Sequence, residues 1–463
     1  PFAILSGGIV ILLYFIAQHL FGTQIAIATG LVAAINPWLV VMGRTGYEST
    51  PATFFYLLAL VVILKKQGWK ILWAIIPLVL AFYSYIGTKI ILIPFVIISL
   101  CFAYIKNKPK SLKAYATLLT LSVIIVISFI VLIKTSSTGI RTADIFLPSD
   151  HMVINQVNEI RKNSLVFPLT SLLINKYTIY AKLLTEKLVR IFSLSYLFIE
   201  GDLFFPVRGH SFFYMIDSVF IALGVLFLFA KRKVYFFLLS LFVLIGTFPH
   251  LFFKLSGDFS GHLAFMFPFL ILLVGIGVYG YISCLKKRWS YIVGGIIAAM
   301  YLYSTFQFGY IYFYEHPLQD FGSIDMRVLS RYIALAKQKK IPVTLYSSTN
   351  RDYLNKYLFY TNSITKTTLQ SLSKSNINDS FDLDGVSFQP CEAFRSTDTL
   401  NQTMIVEARC ITPAMNSYLS ISRLNDGGQV YNIENDVICS TYTLKQYPSK
   451  LTTSQLAIEA IGE

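Results

Sequence analysis

Between residues 1 and 313 the chain is an almost unbroken series of apolar blocks, each long enough to cross a bilayer. They run approximately over 2–20, 24–42, 49–64, 70–86, 89–105, 114–133, 212–230, 234–252, 263–283 and 290–312. At ~1.5 Å per residue these make about ten helical spans, the shorter ones upright. With 55% hydrophobic residues, 14% charged residues and a mean hydropathy of +0.61, most of this surface needs lipid as its solvent.

The gaps between blocks alternate in charge. Lys65, Lys66 and Lys70 fill one gap. Lys106, Lys108, Lys110 and Lys113 fill another. Lys231, Arg232 and Lys233 fill a third, and Lys286, Lys287 and Arg288 a fourth. These are every second gap, as expected when cations stay on the cytoplasmic side. The other gaps, 43–48, 87–88, 134–211 and 253–262, then face outward, together with everything after Phe313. Arg44, Glu48 and Lys89 are thereby gathered on the outer face. The net charge of +15 could suit nucleic acid. Its cations sit in membrane loops, however, and no basic stretch resembles a nucleic-acid module, so no nucleic-acid partner is expected.

The expected fold class is mainly α. It is a polytopic transmembrane helical bundle with a small C-terminal extracytoplasmic α/β domain, in a multi-pass protein of the cell (plasma) membrane. Residues 1–133 form six N-terminal spans and 212–313 four C-terminal ones. Between them, 134–211 is an extracytoplasmic loop. Within it, Leu172, Leu173, Tyr177, Tyr180, Leu183 and Leu184 recur helically among Lys176, Lys182, Lys187 and Arg190. Such helices can lie on membrane lipids or pack on the spans. Residues 314–463 form the extracytoplasmic α/β domain. It has a helix over 326–338, a strand over 341–346, and further strands at 404–408, 417–421 and 436–443.

Cys101 and Cys284 fall in or beside apolar blocks and read as buried bystanders. Cys391, Cys410 and Cys439 allow one disulfide with one thiol left over, and no zinc spacing is present. The chain opens at Pro1 directly into a span, which reads as a piece of a longer protein.

Four constellations carry chemistry. In Gly43–Glu48, Arg44 suits an anion and Glu48 suits acid, base or metal work; a local Arg–Glu pair capping helix ends is the bland alternative. In Tyr83–Lys89, Lys89 is a single cation on the lysine-poor face, explained by a phosphate partner or by snorkelling to headgroups. Asp202, Arg208 and His210 stand together just before a span, as site residues or as a solvated capping loop. Asp258 and His262 flank the short outward loop before 263, as ligands or acid–base groups, with a helix cap by Asp258 or Ser260 as the bland alternative. Carboxylates and histidines would allow a divalent metal, and nothing in the sequence requires one. His19 and His250 read as interfacial.

The run Pro1–Tyr14, Leu20-Phe21-Gly22, Asn36-Pro37-Trp38, Gly43-Arg44 and Glu48 resembles the membrane region of GT-C glycosyltransferases. It is most similar to the protein O-mannosyltransferase and aminoarabinose transferase branch. Tyr83-Ser84-Tyr85 with Lys89 and Pro94 resembles the next family segment, and Phe192–His210 its late periplasmic loop. The likeness covers about residues 1–312. It implies transfer of a sugar from a polyprenyl-phosphate donor to an acceptor (protein, lipid or glycan) on the extracytoplasmic face, by inverting displacement. Glu48, Asp202 and Asp258 would be the catalytic residues. Lys89, Arg44 and Arg208 would bind the donor phosphate, with Tyr83, Tyr85, His210 and His262 lining the cavity. The family's main acidic residue lies in an outward loop that would precede Pro1, so Glu48 matches its second acidic position. Two rivals stand beside this reading. One is a transporter or flippase of lipid-linked saccharides, although no internal repeat is evident. The other is a non-catalytic scaffold presenting 314–463.

Overall fold

A computed structural model describes residues 1–107, 111–135, 150–165, 168–202, 205, 207, 210–253, 259–316, 324–348, 350–372, 380–383, 385–394, 403–410, 419–422 and 429–434. The chain divides into two compact units, Pro1–Ile311 and Tyr312–Glu463.

The first unit is helical. It comprises α1 (Phe2–Phe21), α2 (Thr23–Ile35), α3 (Pro37–Thr45), α4 (Ser49–Lys65), α5 (Ile75–Ser84), α6 (Leu92–Asn107) and α7 (Leu112–Thr135). These are followed by α8 (Asp150–Lys162), α9 (Lys176–Ile191), α10 (Met215–Lys231), α11 (Lys233–Leu251), α12 (Phe267–Ser283) and α13 (Lys287–Tyr310). One-turn elements interleave with them, among them Gly87–Ile91, Ser195–Glu200 and Ser260–Leu263. Every apolar block falls on a helix or a helix pair. Among the described residues five helices are long and apolar enough to cross a membrane, or six if a bent pair counts as one. The chain is an integral membrane protein of mainly α class. Outward-facing Ile124, Ile127 and Val131 on α7, and Tyr291, Leu302 and Phe306 on α13, present the apolar surface that lipid solvates.

Local chemistry sets the breaks. Gly22, at φ +101°, turns the chain between α1 and α2 in one residue, a conformation open to glycine. Asn36 and Pro37 bend α2 against α3 by 53°. Pro37 takes the first helical position and the Asn36 side chain accepts from Leu39 N at 3.3 Å. Asn36 Nδ2 and Trp38 N both donate to Phe212 O, which fastens the bend to the segment before α10.

Glycines allow the closest crossings. A Cβ on Gly224 of α10 would strike the Leu273 carbonyl, and one on Gly277 of α12 would strike the Phe220 carbonyl. A Cβ on Gly275 would overlap Thr29 of α2. Small residues are how helices approach in lipid, where no hydrophobic force drives them together. Asp217 of α10 is fully buried. It accepts from Tyr214 N at 2.9 Å, capping its own helix, and from Tyr301 Oη on α13 at 2.5 Å. A carboxylate at this depth is tolerated because both donors satisfy it. Cys101 and Cys284 were expected to be buried; both are exposed, Cys101 on α6 and Cys284 in the turn that follows α12.

The second unit is α/β. It contains α14 (Ile324–Gln338), β1 (Val343–Ser347), α15 (Asn350–Tyr360), α16 (Lys366–Leu372), β2 (Phe381–Leu383), β3 (Val386–Pro390), β4 (Thr403–Glu407), β5 (Leu419–Ser422) and β6 (Gln429–Glu434). The sheet order is β2-β3-β1-β4-β6-β5, with β1 parallel to β3 and β4 and the other pairs antiparallel. Val328, Leu329, Tyr332, Ile333 and Ala336 of α14 pack on Leu345, Phe388, Ile405 and Tyr431. The helix and the first strand lie where the periodicity put them, and β4 and β5 within two residues. The strand expected at 436–443 lies outside the described residues. β2, β3, β6, α15 and α16 carried no clear signal. Cys391 and Cys410 form a disulfide across the segments that follow β3 and β4. Beside it the Glu407 carboxylate accepts from Ser348 N (2.7 Å) and Ser348 Oγ (2.8 Å). Cys439 lies outside the described residues.

Candidate functional site

Four segments far apart in sequence meet in the helical unit. Tyr85 follows α5, where the chain leaves the helix in an extended conformation. Its hydroxyl forms a buried hydrogen bond with Nδ1 of His262, 177 positions away. A phenol is the better donor and a neutral imidazole nitrogen the better acceptor, so on that chemistry the His262 proton is assigned to Nε2. Phe253 (centroids 3.8 Å apart) and Phe259 (4.8 Å) pack on the His262 ring. Burial, then the charges of His250 and Lys187, push its pKa down to about 3, so the ring is neutral near pH 7.

Asp202 joins from the loop after Ser195–Glu200. One carboxylate oxygen accepts from Phe205 N at 2.7 Å and the other accepts from Ser260 N. Tyr47, between α3 and α4, packs edge-on to Phe259 at 5.3 Å. Burial and the charge of Asp202 raise the Tyr47 pKa. Glu48, exposed at the start of α4, lies close enough to act electrostatically on both Tyr85 and Lys89. The structure therefore brings together Glu48, Tyr85, Lys89, Asp202 and His262.

Lys89 is half-buried in an aromatic cradle. Its Nζ lies 4.8 Å from the centroids of Phe82 and Phe129 and 5.5 Å from that of Tyr83. It also donates to Phe82 O at 2.5 Å, near the C-terminal end of α5, where carbonyls lack helical partners. Tyr83, expected in the cavity, belongs to this cradle and is 51% exposed. Arg44 is exposed on the last turn of α3 and lines a shallow groove with Ala3, Ser6, Gly7 and Val10 of α1. His210 stands apart from the Tyr85–His262 pair, edge-on to Phe308 at 5.6 Å, with its pKa lowered by burial. Arg208 and Asp258 lie outside the described residues.

Sequence reading missed several members. His250, expected at the interface, is buried, 4% exposed, and acts on His262. Lys187, one of several lysines along α9, turns inward and donates to Phe253 O at 2.8 Å. Ser49, Thr50 and Ser260, the last weighed only as a cap, are all buried. Lysines spaced helically look alike in sequence, and only the packing of α9 against α11 singles out one.

The site carries two carboxylates, a neutral imidazole, phenol and alcohol hydroxyls, aromatic faces and one caged ammonium. This set can deprotonate a hydroxyl, hydrogen-bond a polyol and offset a developing negative charge.

No family model and no curated protein matches the chain. Among solved structures it is similar to the archaeal oligosaccharyltransferase AglB from Archaeoglobus fulgidus in complex with an inhibitory peptide and a dolichol-phosphate. The identity is 12% and the TM-score 0.38, over 78% of this chain and 53% of that one. The chain thus spans about half the length of that protein, and a likeness at this level assigns it to no family.

Proposed function

We propose that the chain is a membrane glycosyltransferase of the GT-C type. It moves a sugar from a polyprenyl-phosphate donor to an acceptor (protein, lipid or glycan) on the extracytoplasmic face by inverting displacement. The observation that carries this reading is the Tyr85–His262 hydrogen bond beside the Asp202–Ser260 hydrogen bond, with Glu48 and Lys89 in electrostatic reach. Together they draw on all four constellations that the sequence marked as outward-facing chemistry. In this reading Glu48 and Asp202 handle the acceptor proton or a divalent metal. Lys89, aided by Arg44 and Arg208, offsets the charge of the departing lipid phosphate. Asp258 belongs to the same loop as His262 and shares its role in the cavity. In this reading the unit Tyr312–Glu463 is extracytoplasmic.

Transfer of label from polyprenyl-phospho-sugars, by the protein in liposomes, tests the reading. Activity that falls at least tenfold in both Glu48→Ala and Lys89→Ala supports it. Unchanged transfer in both variants rejects these residues. Flux of intact donor across the bilayer without transfer favours the transporter.

A further inference from the structure

We propose that the cavity between α2, α12 and α13 holds one acyl chain of an anionic phospholipid, with the headgroup seated on the basic turn Lys286–Arg288. This site is independent of the sugar-transfer reading. It lies along the last turns of α12, whereas His262 precedes the first.

The cavity measures about 500 Å³ and its wall is almost wholly apolar. Ala28, Gly294 and Ala298 leave the space, since none has a side chain beyond Cβ. Gln24 and Ile35 mark its ends, eleven residues apart, or ~16 Å along α2. About 500 Å³ over that length is ~6 Å wide, enough for one unbranched hydrocarbon chain and too narrow for a helix ~10 Å across. Ile27, Leu31 and Leu302 are exposed on its rim, so it opens sideways to lipid. No residue of 287–296 is buried, so the first half of α13 stands off the bundle along this opening.

The wall's polar groups are already paired. Tyr279 Oη donates to Gln24 Oε1 at 2.7 Å, Tyr301 Oη to Asp217 at 2.5 Å, and Thr305 Oγ1 to Tyr301 O at 2.8 Å. A polar guest would lose its water and gain nothing in return, whereas a hydrocarbon chain restores the dispersion contacts that an empty slot forfeits.

Charge selects the headgroup. Lys286, Lys287 and Arg288 are exposed on the turn that joins two of the cavity's walls, four to six residues beyond Ile282 of its lining. No side chain caps the first turn of α13, whose N–H groups favour an anion at the same place. A second basic triad, Lys231, Arg232 and Lys233, stands at this end of the bundle. Arg232 Nη1 donates to Leu20 O at 3.3 Å, beside the turn from which α2 enters the cavity wall. The sequence has no Asp or Glu in 1–47, 218–257 or 259–314, the stretches that carry both triads and all three walls. A lipid phosphate supplies the missing negative charge.

Lipid binding to the delipidated full chain in detergent, read by native mass spectrometry, tests this. The probes are dioleoyl phosphatidylglycerol, dioleoyl phosphatidylcholine and dihexanoyl phosphatidylglycerol, with polyprenyl phosphate as competitor. The long-chain anionic lipid is expected to bind at least tenfold more tightly than either of the other two phospholipids. Ala298→Phe fills the cavity without changing charge and should abolish that preference. Gly294→Leu, whose Cβ meets only Ile282 Cδ1 at 4.0 Å, should do the same and serves if Ala298→Phe does not fold. Lys286→Gln with Lys287→Gln should weaken phosphatidylglycerol at least fivefold and leave phosphatidylcholine unchanged. Equal binding of the two dioleoyl lipids overturns the proposal, as does a preference that survives the cavity-filling variants. Equally tight binding of the dihexanoyl lipid shows that no chain enters the cavity. Displacement by polyprenyl phosphate at lower concentration than phosphatidylglycerol itself assigns the slot to an isoprenoid and overturns the phospholipid.

Discussion

Tyr85 and His262, 177 positions apart in the sequence, share one buried hydrogen bond, and that bond fixes the tautomer and orientation of the imidazole. Tyr85→Phe removes the donor and strands Nδ1 in an aromatic pocket. The expected cost is about 1–3 kcal/mol of stability. Sugar transfer should fall about tenfold as the ring loses its orientation. Thermal unfolding in detergent and the transfer assay read the two effects separately, and wild-type behaviour in both would remove Tyr85 from the site.

Acid should weaken the fold through His262. Its folded pKa is depressed to about 3, while an exposed histidine titrates near 6.5, so below 6.5 the unfolded chain takes up a proton that the folded one refuses. The stability this group contributes is complete above pH 6.5 and is lost as pH falls toward 3, at up to about 1.4 kcal/mol per pH unit. The groups acting on it are Tyr85, His250 and Lys187. Melting midpoints followed from pH 7 to pH 5 should drop in the wild type and drop less in His262→Gln; parallel curves would contradict the assignment.

Gly275→Ala should be strongly destabilising, because its Cβ would overlap Thr29 side chain and backbone together. Overpacking of this kind costs about 1–3 kcal/mol. Gly295→Ala meets nothing within 4 Å and should be neutral or stabilising by up to about 1 kcal/mol through helix propensity. Melting of the two variants side by side separates close packing from chain flexibility.

Asp217→Ala leaves Tyr301 Oη and Tyr214 N buried without an acceptor. A loss of about 2–3 kcal/mol is expected. Asp217→Asn keeps an oxygen toward one donor and should lose less. Equal melting of the two variants would mean that the carboxylate is not what ties α13 to α10.

In the second unit, Cys391→Ser with Cys410→Ser opens a loop of 19-residue separation. The expected cost is about 2–4 kcal/mol. Limited proteolysis under non-reducing conditions should cut the double variant faster after β3 and β4; an unchanged digestion rate would count against the bridge as a staple.

The spans were legible because lipid imposes one rule on every residue of a crossing helix. The Asn36-Pro37 break was legible because a cap and a proline speak locally. Glu48, Tyr85, Lys89, Asp202 and His262 could be flagged because charged or polar groups are rare in such a chain. Their partners could not. Ser260 stands two residues from the flagged His262, yet it, His250 and Lys187 acquire their partners only when α9 and α11 pack beside the 259–265 segment. Cys101 and Cys284 failed for a related reason, since an apolar neighbourhood in sequence does not say which side of a helix faces lipid. The short strands β2, β3 and β6 alternate apolar and polar residues over only three to six positions, and their pairing is decided across the sheet.

Gly224 and Gly277 join two helices main chain to main chain, with no side chain to act as a cushion. Such a joint has a single fit and cannot yield by degrees. A side chain on either glycine would have to push the two backbones apart, so the helix pair is fixed at the level of its main chains.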